Sequence, residues 1–197
     1  MATPYEPANV HRLSRTLPAE LQRVALLPLT AAPGNVSQTG LRTLEPILTS
    51  EFRKRGAFEV VTVSPEQLRE WTGRPGWRRQ DVLPQDLFER IQKQTGCDAV
   101  LFSELSTYNP YPPLAVGWHL SLVDLRTRAD YWTVDEVFDA GSPGVIAAAQ
   151  AYYRGGLNQP SVQLDSAAVL NSPLRFGQYS AAAVIGTLPG RGTPLKP

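Results

Sequence analysis

The chain has 197 residues, a length that fits one domain of about 150 residues plus tails. Its 19 Lys and Arg against 18 Asp and Glu give a net charge of +1, which argues against a strongly basic nucleic-acid surface. The two histidines, His11 and His119, and the single cysteine, Cys97, are too few for an ordinary zinc site, and one thiol cannot form an internal disulfide. We therefore expect no metal, no cofactor and no nucleic acid.

Eighteen prolines cluster in the first eighteen residues, near 108–113, around Pro160 and in the last nine residues. These clusters predict an extended N-terminal arm over residues 1–20, a single domain over 21–188 and a flexible tail over 189–197. The arm is expected to lie on the surface or to reach a neighbour. No run of about 20 apolar residues is present, and the N-terminus as it stands lacks the apolar core of a signal peptide.

The first strand is predicted over Arg23 to Thr30, and its continuous apolar run indicates burial on both faces. Pro28 has no N–H to donate and should end the hydrogen-bond ladder of this strand. The following loop, 31–39, lies at the carboxyl end of this strand, where α/β sheets often bind ligands. The spacing of Gly34 and Gly40, however, matches neither a Walker loop nor a dinucleotide fingerprint.

A helix is predicted from Gly40 to its C-terminal cap at Gly56. Its apolar residues recur at intervals of three and four, as Leu41, Leu44, Leu48 and Phe52. Pro46 should either kink this helix or mark its first turn if the helix starts late. A second strand, Phe58 to Val63, follows and should pair in parallel with the first.

The next helix should begin at Ser64, because Ser-Pro-Glu-Gln supplies an N-cap, a proline at the first position and glutamine at the third. It runs through Trp71 into a loop over Gly73 to Asp81. Arginines and tryptophans in this region could hold an anionic polymer by charge and cation–π contact: Trp71, Arg74, Trp77, Arg78 and Arg79. The alternative, which we favour, is a solvated loop whose tryptophans pack against the body.

A third helix is predicted from Leu83-Pro84 to Thr95, with Gly96 as its cap. Cys97 follows and is interpreted as a small buried apolar group, because no base stands near it. In three consecutive runs the side chains then alternate between two faces with a period of two, which predicts an antiparallel meander: 98–107, 116–125 and 130–138.

Two features of the meander bear on function. The turn Tyr108-Asn-Pro-Tyr-Pro-Pro113 is stiff, and Tyr108 and Tyr111 provide large contact area at low entropy cost, so it suits a protein partner or is an ordinary connection. Asp135 and Glu136 resemble paired carboxylates, but adjacent strand residues point to opposite faces and cannot act on one atom together. We expect them to be solvated, and we expect no catalytic residues.

Two helices should end the chain, one from Ser142-Pro143 to Arg154 and one opened by Ser172-Pro173, with a polar link to about Gln163 between them. Small residues over 180–183 would allow close approach to another element or another copy. The predicted fold is α/β (α+β): a mixed sheet of about five strands in the order β-α-β-α-β-β-β-α. Its helices should pack mainly on one face of the sheet, and a further helix should end the chain.

The element order and two segments carry a resemblance to known proteins. Arg-Val-Ala-Leu-Leu-Pro-Leu at 23–29 and Thr-Gly-Cys-Asp-Ala-Val-Leu-Phe-Ser-Glu-Leu at 95–105 resemble segments of bacterial outer-membrane lipoproteins of the CsgG, PelC and LpoB group. Phe58-Glu-Val-Val61 and the hairpin from Ser121 to Trp132 fit the same pattern. The chain departs from it at Cys97, at Ser103-Glu104 and in the hairpin turn, where Arg128 replaces glycine.

The resemblance implies a non-enzymatic protein that is tethered by lipid to the periplasmic face of the outer membrane and works by binding. Members form rings beneath an export pore or dock on a cell-wall enzyme. We therefore expect a homo-oligomeric assembly or export subunit with an envelope-protein partner. Two alternatives stay open, namely a lipoprotein activator of a cell-wall synthase and a small-molecule binder with its site at the 31–39 loop.

Overall fold

The computed structural model describes residues 5–34, 36–155 and 170–192. The predicted link up to about Gln163 and the last five residues of the predicted tail lie outside these ranges. The elements in chain order are β1 (Val10–Arg12), β2 (Thr16–Leu17), β3 (Arg23–Leu26), β4 (Thr30–Ala31), α1 (Gln38–Arg55), β5 (Glu59–Thr62), α2 (Pro65–Thr72), α3 (Leu87–Thr95), β6 (Ala99–Asn109), β7 (Ala115–Asp124), β8 (Asp130–Asp139), α4 (Pro143–Gly155), α5 (Pro173–Gly186) and β9 (Gly190–Arg191).

A mixed sheet organises the domain, as predicted. Its order is β1-β8-β7-β6-β3-β5, and β4 also pairs with β6. The β3 strand pairs in parallel with both β5 and β6, whereas β6, β7, β8 and β1 are antiparallel neighbours. The five predicted strands are all present. The structure adds β1 and β4, whose two or three residues are too short to show an alternating pattern.

The first predicted strand is divided at its proline. β3 ends at Leu26 and β4 begins at Thr30, so Pro28 lies in the gap between two short ladders. Burial on both faces is confirmed, because Val24 and Ala25, which point in opposite directions, are both fully buried. Val24 packs in the core beneath α1, α4 and α5, and Ala25 packs in a second core beneath α2 and α3.

Helix α1 begins earlier than the sequence indicated. The Ser37 hydroxyl accepts a hydrogen bond from the Gly40 backbone N–H, and this N-cap places Gln38 in the first turn. Pro46 therefore lies inside the helix, not in its first turn. Gly56 ends the helix in the left-handed conformation, with φ of 63°, as predicted.

The caps of the next two helices follow the sequence, with one boundary error. Ser64 and Gln67 form the predicted capping box at α2. Helix α3 begins at Leu87, and the expected start at Leu83-Pro84 is wrong. Pro84 instead accepts a hydrogen bond from Leu87, so the proline ends a loop and does not occupy the first helical turn.

The small residues of α5 are used inside the chain. Ser180 and Ala181 are fully buried, and the Ser180 hydroxyl accepts a hydrogen bond from Trp118 Nε1 at 2.9 Å. At Gly177 a Cβ would overlap the Leu44 side chain of α1, so glycine permits the two helices to approach. This face therefore joins α5 to the sheet and to α1.

The N-terminal segment lies along its own sheet. β1 pairs with β8, and β2 pairs in parallel with β9 near the C-terminus. Glu136 anchors this segment, since its carboxylate accepts hydrogen bonds from the Ala8 and Asn9 backbone N–H groups at 2.7 and 3.2 Å and from the Tyr5 hydroxyl. No helix among the described residues is long and apolar enough to cross a membrane.

Candidate functional site

The tyrosine loop, defined here as residues 108–113, comprises the end of β6 and most of the turn to β7 and presents an aromatic side chain to solvent. Tyr111 is 74% exposed. The loop is held by Asn109, whose Nδ2 donates to the Pro113 carbonyl at 2.9 Å and whose Oδ1 accepts from the Tyr111 backbone N–H at 3.2 Å. An exposed ring on a fixed backbone is a contact group that loses little conformational entropy when it is buried.

The tyrosine loop and the 31–39 loop, which the sequence treated as separate candidates, lie side by side. Together they line a cavity of about 690 Å³, with Val36, Ser37 and Thr39 on one side and Tyr108 and Tyr111 on the other. The contact is close because residue 40 is glycine: a Cβ there would lie 2.6 Å from Tyr108 Cδ1. The two loops therefore form one surface at the end of the meander.

The tryptophan–arginine loop, defined here as residues 71–81, is packed against the domain. Trp77 is 5% exposed, lies in the core beneath α2 and α3, and donates from Nε1 to the Thr72 hydroxyl at 2.9 Å. The Arg74 guanidinium lies 4.2 Å from the Trp77 ring centroid. Trp71 is partly buried against the same core. The tryptophans thus pack on the body, as the sequence favoured.

Each arginine of this loop faces a carboxylate of the same chain. Arg78 donates from Nε and Nη2 to Asp81 Oδ1 at 3.0 and 2.7 Å, and Arg74 lies 3.7 Å from the same carboxylate. Arg79 donates to both oxygens of Asp130 at 2.9 and 3.1 Å. Burial acts to raise the pKa of Asp81, but hydrogen bonds and charge from Arg78 and Arg74 outweigh it and lower that pKa.

The predicted carboxylate pair is separated by the sheet. Glu136 holds the N-terminal segment, whereas Asp135 Oδ2 lies 3.5 Å from His119 Nδ1. The two side chains thus have different partners, although Glu136 is an anchor and not the solvated charge that we expected. Burial raises the pKa of the Cys97 thiol, which makes the reactive thiolate scarce at neutral pH. Among the described residues no group of three His, Cys, Asp or Glu could hold a metal ion.

The sequence did not single out a second crevice, of about 350 Å³, beside α1 and the start of α2. Glu45 of α1 and Ser103 of β6 both line it. Glu45 lies on the same helical face as Leu41, Leu48 and Phe52, where an acid interrupts the apolar pattern. Ser103 interrupts the apolar alternation of β6 in the same way. These two interruptions are the signals in the sequence that could have revealed the crevice.

Comparison with known proteins gives structural similarity only. No family model and no curated protein matches the chain. A lipoprotein from Neisseria meningitidis is 15% identical with a TM-score of 0.46, over 71% of this chain and 99% of that one. The PelC dodecamer from Paraburkholderia phytofirmans is 16% identical with a TM-score of 0.42, over 87% and 94%. The LpoB C-terminal domain from Escherichia coli is 17% identical with a TM-score of 0.41, over 59% and 82%. PelC and LpoB are both among the proteins that the sequence resemblance named.

Proposed function

We propose that this chain is a non-enzymatic envelope lipoprotein domain that works as a self-assembling subunit of an export apparatus at the outer membrane. The resemblance at residues 23–29 and 95–105 to the CsgG, PelC and LpoB group supports the envelope role. The tyrosine loop carries the proposal of assembly, because Tyr111 is a rigidly mounted, 74% exposed aromatic beside an open cavity of about 690 Å³. Tyrosine is among the residues that dominate binding energy at protein interfaces.

The partner in this proposal is a second copy of the same chain. A ring needs two different patches on each subunit, one for each neighbour. The tyrosine loop provides the first patch. The second is taken to be the start of α5, where Leu174 is 58% exposed. Burial of these side chains against the next subunit would remove apolar surface from water.

Sedimentation velocity over a concentration series tests the assembly. The unsubstituted chain should form a defined oligomer, and Tyr111→Ala and Leu174→Ala should each weaken association by roughly tenfold or more. Val82→Ala is the matched control, because Val82 is 96% exposed but belongs to neither patch. A strict monomer at high concentration, or equal association by Tyr111→Ala and Val82→Ala, would contradict self-assembly through this loop.

Attachment to the membrane is a separate part of the proposal. The protein expressed from its full reading frame should incorporate labelled palmitate, because the proposed anchor is acylated. It should also fractionate with the outer membrane, because anchoring by more than one acyl chain is stable. Recovery of unlabelled protein in the cytoplasmic fraction would contradict the envelope location. An envelope partner should then be retained with the anchored protein.

A further inference from the structure

The crevice beside α1 and α2 lies at the carboxyl ends of the parallel strands β3 and β5. The connection from β3 to β5 passes through α1 on one face of the sheet, and the connection from β5 to β6 passes through α2 and α3 on the other. In open α/β sheets, ligands usually bind outside the carboxyl ends of the strands. The volume, about 350 Å³, falls at the small end of ligand sites, which span roughly 300–1,000 Å³.

One polar group in this crevice has no hydrogen-bond partner among the described residues. Ser103 is 2% exposed, and its hydroxyl has no hydrogen-bond partner in the part of the chain that the structure describes. Buried hydroxyls are normally paired, because leaving one unpaired costs free energy. Ser103 faces the crevice, so a bound molecule could supply the missing hydrogen bond.

Glu45 provides the charge of the crevice. Among the described residues that line the crevice, it is the only ionisable one. Its Oε1 accepts a hydrogen bond from the Leu29 backbone N–H at 2.9 Å, which fixes the side chain. The described contacts of the carboxylate involve Oε1, so Oε2 is available to a ligand. A fixed carboxylate in a partly apolar crevice favours a cation over an anion.

The start of α2 also borders the crevice and would favour an anion if its N–H groups were free. The capping box reduces this effect. Pro65 has no N–H, and the Gln67 N–H is already bonded to the Ser64 hydroxyl. The remaining polar groups include the Thr49 and Thr62 hydroxyls, and Leu48 and Val63 provide apolar walls. The lining therefore combines hydrogen-bond acceptors with an aliphatic surface.

We propose that this crevice binds a small primary ammonium ligand with a short aliphatic body. An ammonium group carries three donors and no acceptor, which complements Glu45 Oε2 together with the Ser103 hydroxyl. The aliphatic body lies against the leucine and valine walls. This site is separate from the tyrosine loop, and its test does not depend on assembly.

Three probes with the same carbon chain test the chemistry: n-butylammonium, n-butanol and butyrate. Amide chemical shifts in a ¹H–¹⁵N spectrum report where each probe binds. For n-butylammonium we expect saturable shifts centred on Leu29, Thr49 and Ser103, with affinity about fivefold above n-butanol and with butyrate weakest. Absence of saturable shifts at these amides, or butyrate binding as tightly as n-butylammonium, would overturn the proposal.

Glu45→Gln removes the charge but keeps an oxygen for the Leu29 N–H. It should bring n-butylammonium to within about twofold of n-butanol, as expected for loss of a charge-assisted hydrogen bond. Glu89→Gln, at an exposed acid on α3, is the matched control and should leave the probe order unchanged. Equal discrimination by the Glu45→Gln variant and the unsubstituted chain would refute the role of Glu45. Ser103→Ala provides a second variant and should lower n-butylammonium affinity while leaving the order of the three probes intact.

Discussion

The tryptophan–arginine loop and the tyrosine loop are both rich in residues that favour binding, but the fold treats them differently. In the first, Trp77 is buried and the arginines face Asp81 and Asp130 of the same chain. In the second, Tyr111 is held on a fixed backbone and stays exposed. The comparison teaches that residue type alone does not identify a binding surface, because intramolecular partners can satisfy the same side chains.

The largest expected effect is at Trp77. Trp77→Ala should lower the free energy of unfolding by about 3–5 kcal/mol, because it leaves a cavity in the core beneath α2 and α3. It also removes the ring beneath Arg74 and the donor to Thr72. Urea denaturation measures the change. A loss below about 1 kcal/mol would mean that the loop is not packed as the structure describes.

Asp81 is the next test, because its carboxylate faces both Arg74 and Arg78 in the tryptophan–arginine loop. Asp81→Asn should cost about 2 kcal/mol at pH 7, the value of charge-assisted hydrogen bonds. The folded-state pKa of Asp81 is lowered, so its contribution is present above the unfolded value of about 3.9 and is lost as the pH falls through the folded pKa. The difference in unfolding free energy between the two proteins should therefore shrink in acid.

The same substitution asks whether the arginines can act once released. Asp81→Asn should increase retention on a heparin column, used as an anionic-polymer probe, because Arg74 and Arg78 lose their shared carboxylate. Asp86→Asn is the control, since it removes the same charge from a more exposed pair, Asp86 and Arg90. Loss of that pair should lower the free energy of unfolding by less than about 0.5 kcal/mol. Unchanged retention by Asp81→Asn would count against Arg74 and Arg78 as polymer contacts.

Gly40 tests whether the two loops form one surface. Gly40→Ala places a Cβ against the Tyr108 ring and should cost about 1–3 kcal/mol while displacing the tyrosine loop. Gly186→Ala is the matched control in α5, where a Cβ meets nothing within 4 Å, and the better helix propensity of alanine should leave stability unchanged or raise it by up to about 1 kcal/mol. Equal thermal stability of the two variants would argue against the close contact of Tyr108 with α1.

The smallest expected effect on stability is at Tyr111. Tyr111→Ala should change the free energy of unfolding of the monomer by no more than about 0.5 kcal/mol, because truncating an exposed side chain removes few contacts from the folded state. Chemical denaturation at a concentration below association measures this value. A loss near that of Trp77→Ala would show that Tyr111 supports the fold and is not held for a partner.

Local signals in the sequence identified much of the fold. The apolar alternation of the meander, the capping box of Ser64 and Gln67 and the terminal Gly56 each act over a few residues, so each was predictable. Weak local signals led to the boundary errors at the starts of α1 and α3. β1 could not be predicted because three residues acquire strand structure only by pairing with β8, more than 100 positions along the chain.

The candidate sites were less predictable than the fold. The sequence identified the tyrosine loop and the 31–39 loop but gave no indication that they share a cavity. It also did not connect Glu45 with Ser103, because a polar residue within an apolar pattern shows that something is unusual but not which residues lie beside it. Their place in one crevice depends on where α1 packs across the sheet.

By itself, the sequence determined the order of strands and helices, the two buried faces of the central strand and the caps that end the helices, because these depend on backbone geometry and on periodicity. The tertiary structure alone decided which polar and aromatic groups find partners within the chain. Arg79 is 51 positions from its partner Asp130, and Tyr5 is 131 positions from its partner Glu136. Pairing over such separations is set by how the layers pack, and it leaves Tyr111 exposed and the Ser103 hydroxyl without a partner among the described residues.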